Sequence, residues 1–96
     1  MDISITGDES VADVKEQFAS QLPMLKLEFF NHEHEEGQGS PLSDRIDDSS
    51  SLNEIRSRHN EGVVQFTKNM KISDLEKMFR DRFGLNVQVF RRSGNI

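Results

Sequence analysis

The amino-acid sequence predicts an α+β protein whose two halves share one β-α-β plan, and three observations carry that prediction. Residues 10–18 superpose on residues 71–79 at a shift of 61, with Asp13 on Asp74 and Phe18 on Phe79. Under the same shift Val11, Val14, Phe18 and Leu22 fall on Ile72, Leu75, Phe79 and Phe83, each set spaced as one face of a helix. Stretches in which apolar and polar side chains alternate flank both helical patterns, as strands with one buried face require.

The first strand rests on Ile3 and Ile5, which alternate with Ser4 and Thr6. The following helix starts after Ser10, a good N-cap with Asp13 three residues on, and stops by Pro23, which has no N–H to continue it. Leu25, Leu27 and Phe29 then alternate with Lys26, Glu28 and Phe30. In the second half Val64 and Phe66 alternate with Gln65 and Thr67, and Leu85, Val87 and Val89 with Asn86, Gln88 and Phe90. Between them, Ser73 and Glu76 spell a capping box, whereas the superposition starts that helix two residues earlier; Gly84 is its predicted C′ glycine.

Two β-α-β units, residues 2–30 and 63–92, are thus joined by a connection over 31–62. Right-handed crossovers place both helices on one side, so the units predict a ferredoxin-like βαββαβ sandwich, a four-stranded antiparallel sheet with two helices on one face. Another strand order, with the connection as a third covering element, is the alternative. Residues 31–42 are acidic and polar, broken by Gly37, Gly39 and Pro41, and predict a mobile loop. Ser51 before Leu52 and Ile55 predicts a short helix with two anchors on the core. After Phe90, the turn signal Ser93-Gly94-Asn95 leaves only Ile96 to pair, so these residues are expected to be the front part of a longer chain.

The segments Met70-Lys71-Ile72-Ser73-Asp74-Leu75-Glu76-Lys77 and Phe83-Gly84-Leu85-Asn86-Val87-Gln88-Val89-Phe90-Arg91-Arg92-Ser93-Gly94-Asn95 resemble a family of small uncharacterised bacterial proteins. The resemblance covers the second half well, Leu52 to Arg56 loosely and the acidic loop least. It implies a tryptophan-containing strand after the Ser-Gly-Asn turn, and no activity.

The 96 residues predict a single domain with one modest core, and the absence of cysteine excludes disulfides, thiolate metal sites and cysteine catalysis. The N-terminus has no basic region followed by an apolar run, and no stretch reaches the roughly 20 apolar residues of a membrane span; a cytoplasmic protein is expected. Residues 1–62 carry 5 Lys or Arg against 14 Asp or Glu, whereas residues 63–96 carry 7 against 3. That asymmetry fits halves that attract each other, within one molecule or between two, and alternatively a polyanion site.

Three kinds of site follow. Phe30 and Phe90 occupy equivalent places opposite the helices, and with Arg91 and Arg92 form a candidate partner-binding surface. The competing expectation is that the connection, or a further strand, buries both rings. Stacked bases on such a face would make the domain a nucleic-acid binder through its basic half, although the RNA-recognition signature is missing. His32 and His34, with His59, are weak metal candidates; they lack the H-E-x-x-H spacing and lie in the loosest segment. There is no nucleophile elbow, Ser-x-x-Lys or phosphate loop, and no cofactor is expected. The sequence therefore points to a small protein-interaction or regulatory domain without catalytic activity, with a protein partner or weak self-association ahead of nucleic acid, and with a metal-dependent enzyme as a further alternative.

Overall fold

The structure, a computed structural model, describes residues 1–31, 44–55 and 60–91. The elements run β1 (Asp2–Ile5), α1 (Val11–Gln21), β2 (Leu25–Phe30), α2 (Leu52–Ile55), β3 (Gly62–Gln65), α3 (Ile72–Phe83) and β4 (Asn86–Arg91). The α+β class and the element order match the expectation, including the short helix in the connection. The predicted mobile loop and the terminal turn lie outside the described residues.

Local chemistry accounts for the helix ends. Ser10 accepts from the Asp13 N–H while the Asp13 carboxylate accepts from the Ser10 N–H, a complete capping box at the start of α1. Gly84 ends α3 in the left-handed region at φ 65°, a conformation that costs a glycine little. The predicted box at Ser73 does not form. Helix α3 begins two residues earlier, where the superposition starts it, with Lys71 as an N-cap that makes no side-chain capping bond. The Glu76 carboxylate instead accepts from the N–H of Val89 in β4, 3.0 Å away.

The strands pair as two antiparallel ladders, β1 with β3 and β2 with β4. No ladder joins the two pairs among the described residues, which form two two-stranded sheets in place of the expected four-stranded one. The strand edges are partly occupied. On the outer edge of β1, the Gln17 amide accepts from the Ser4 N–H at 2.8 Å and donates to its carbonyl at 3.1 Å. Gln21 does the same at Asp2, at 3.0 and 2.6 Å. Arg82 donates to the outer carbonyl of Val63 in β3, and Glu76 takes the outer N–H of Val89. The outer edge of β2 is covered by the connection, where Asn31 donates to the Asp44 carbonyl and Ile46 to the Phe29 carbonyl. The outer edge of β1 is the most fully taken, while β3 and β4 each have one outer group engaged by a side chain of α3.

One apolar cluster draws on both halves. Ile3 and Ile5 of β1, Val14 and Phe18 of α1, Leu27 and Phe29 of β2, and Leu75 and Phe79 of α3 are all buried in it. Phe18 stacks on Phe66 at 6.0 Å between ring centres, and Phe29 meets Phe79 edge-on at 6.3 Å. Leu52 is fully buried and Ile55 packs on the same cluster, so the connection is anchored where the sequence placed its two anchors.

Candidate functional site

The aromatic pair expected on an open face is split between buried and exposed. Phe30 is buried, with its backbone bridged to Arg45, so it offers no surface to a partner. The cause is the fold-back of residues 44–46 along β2. Phe90 lies 6.4 Å from the Phe30 ring and stays partly exposed, with the Lys26 ammonium 5.9 Å above it. Arg91 is exposed at the end of β4, while Arg92 lies outside the described residues, as do His32, His34 and His59. Among the described residues no group of three or more His, Cys, Asp or Glu is placed to hold a metal ion. No helix there is long and apolar enough to cross a membrane.

Beside Phe30 the strand carries a charged knot that the alternation pattern concealed. Glu28, expected to face solvent, is buried. Its carboxylate accepts from Lys15 of α1 at 2.8 Å and from Arg45 of the connection at 3.1 Å, and Lys15 also reaches Asp48 at 2.8 Å. Burial alone would lower the Lys15 pKa; the hydrogen bonds and charges of Asp48 and Glu28 outweigh it and hold the ammonium above its ordinary value. The Arg45 guanidinium is likewise held above its ordinary pKa, first by its hydrogen bond to Glu28. With every charged group satisfied, the knot works as a clamp between α1, β2 and the connection. The hydrogen bonds that tie it together span 13, 17 and 33 positions, and no local pattern announces it.

An open cleft of about 240 Å³ lies at the other end of the core, where the C-terminal part of α1 faces the start of α3. Its floor is buried Phe18, Phe66 and Leu75. Half-buried Leu22, Leu25 and Val89 wall it, from α1, β2 and β4. Exposed Thr67, Lys68, Lys71 and Ile72 form the rim. Ile72 on the rim is 48% exposed, and Met24, 74% exposed, lies in the turn between the lining residues Leu22 and Leu25. The volume exceeds the roughly 150 Å³ hollow that admits benzene and falls short of the roughly 300–1,000 Å³ of small-molecule sites. It suits one or two inserted side chains. Sequence reasoning missed it because its residues come from four elements; the exposed apolar Ile72, at a helix start with no capping bond, was the available signal.

The chain matches no known protein family, no curated protein and no solved structure.

Proposed function

We propose that this chain is a protein-interaction module without catalytic activity of its own, and that the cleft between α1 and α3 is its contact surface. The supporting observation is an apolar cleft open to solvent over the core, with exposed Ile72 on its rim and exposed Met24 in the turn between Leu22 and Leu25. Apolar surface kept in water is the mark of recognition sites, and methionines near it adapt to varied partners. Phe90, on the opposite side of β4 from Val89, and Arg91 at the strand's end are the second candidate surface carried by the sequence. The ferredoxin-like order belongs to the same proposal: its two outer strands, β2 and β4, run antiparallel to each other and pair directly once such a layer closes on itself.

The test compares proteins captured from extracts of the producing cells by the native chain, by Met24→Glu and Ile72→Glu, and by Phe90→Ala. A partner held by the native chain and by Phe90→Ala, but lost with a charge in the cleft at unchanged melting temperature, supports the proposal. Loss with Phe90→Ala alone moves the surface to β4. Binding only to DNA or heparin, falling steeply with salt, overturns it in favour of the basic half.

A further inference from the structure

The strand registers repeat the shift found in the sequence. Ile3 pairs with Val64, its own counterpart 61 residues on. At the middle of the other ladder Glu28 pairs with Gln88, 60 residues on, the same one-residue change of shift that makes Phe30 and Phe90 counterparts. The helix N-caps, Ser10 and Lys71, are also counterparts, and so are the carbonyls of Asp2 and Val63 that accept from Gln21 and Arg82. These correspondences are those of two halves related by a two-fold axis through the centres of both ladders.

Beside α1, the place that corresponds to the cleft is filled by the chain itself. The Val11 and Ala12 amides donate to the Ser50 and Asp48 carbonyls, Leu52 donates to the Glu9 carbonyl, and the Leu52 side chain is fully buried. The counterpart residues are Ile72, Ser73 and Met70; among the described residues the Ile72 and Ser73 amides make no such backbone bonds, and Ile72 and Met70 line the open cleft. Charge changes with the shift. The residues at the filled place are Gly7, Glu9 and Ser10, where those at the cleft are Lys68, Met70 and Lys71. Asn53 packs so closely on Gly7 that a Cβ there would lie 2.8 Å from its side chain, whereas Lys68 offers a cation at that position.

Resting on the interaction function proposed above, we infer that the cleft takes an extended acidic segment of a partner protein, anchored by one leucine-sized apolar side chain, in the manner in which residues 48–52 fill the corresponding place beside α1. The anchor enters between Phe66, Leu75 and Val89. The segment's carbonyls face the Ile72 and Ser73 amides, and its acidic residues meet Lys68 and Lys71, including the residue directly after the anchor. Apolar burial supplies the affinity and the lysines the choice of partner.

The probe is the heptapeptide Asp-Asp-Ser-Ser-Ser-Leu-Glu, titrated into the isotope-labelled full chain and followed by NMR. The expected result is shifts centred on the Ile72 and Ser73 amides and the Leu75 and Val89 methyls. Affinity should fall about tenfold when the peptide leucine becomes serine, and about tenfold with Lys68→Glu/Lys71→Glu at an unchanged melting temperature. No shift at these positions at about 1 mM peptide overturns the inference. A lysine-substituted peptide that binds there as well or better also overturns it while leaving the cleft an interaction site. Concentration-dependent shifts of the same groups without peptide assign the cleft to a second copy instead. Shifts of Phe90 and Arg91 alone refute the cleft in both roles.

Discussion

The starts of the two long helices are counterparts in sequence and opposites in structure. Helix α1 begins with a complete capping box, and residues 48–52 lie across its first turn, with Leu52 in the core. Helix α3 begins at an exposed lysine with no capping bond, an exposed isoleucine and an open cleft. The two β-α-β units present corresponding places at the starts of their helices. One is filled by the chain's own connection and the other is left for something else. Closure beside α1 costs a long connection; openness beside α3 leaves apolar surface in water, a cost that selection tolerates where the surface is used.

The largest expected effect tests that contrast at its centre. Leu52→Ala should destabilise the protein by about 2–4 kcal/mol, because a fully buried anchor leaves a cavity, whereas Ile72→Ala should change stability by less than about 0.5 kcal/mol. Urea unfolding of the two variants against the native chain measures both. Equal costs would mean that the two hollows are alike in packing and that the contrast fails.

The clamp at Glu28 exists only on the filled side, and Lys15→Met should cost about 1–3 kcal/mol by leaving the buried carboxylate short of a partner. Its pH dependence has a definite sign. The folded Lys15 pKa lies above the unfolded value, so the contribution is complete below about pH 10.4 and is lost as pH rises through the folded pKa. The stability gap between native and Lys15→Met should therefore stay constant across neutral pH and narrow only at the alkaline end. A gap that closed near neutrality would show that another group carries it.

The smallest effects compare the caps directly. Ser10→Ala should cost about 1 kcal/mol, while Lys71→Ser, which supplies the missing cap, should gain a few tenths. Thermal melts of both variants resolve the sign. A loss with Lys71→Ser would indicate that the lysine already supports the helix in some other way.

What the sequence disclosed was local. Ser10, Pro23 and Gly84 marked helix ends because capping and proline sterics act within a turn, and alternation at Ile3, Ile5, Leu27 and Phe29 marked the buried side of strands. The capping box at Ser73 failed because the carboxylate of Glu76 binds a strand 13 residues away. For Phe30 the sequence left open a partner surface or burial by the connection, and for Glu28 it showed only the polar side of β2: residues 44–48 return to that strand, and alternation reports which face a side chain takes, never what lies over it. The cleft was hidden similarly, as a gap assembled from distant elements has no periodicity.

The glutamines along β1 bear on how the molecule behaves when crowded. Fibril growth needs a backbone edge whose donors and acceptors await a neighbour, and Gln17 and Gln21 already answer those of Asp2 and Ser4 with carboxamides that carry one donor side and one acceptor side, as a peptide group does. Each is an imitation of one residue of an adjoining strand, held on a helix that has no further edge to pass on. At the β1 edge the sheet is thereby terminated by groups that satisfy it without propagating it.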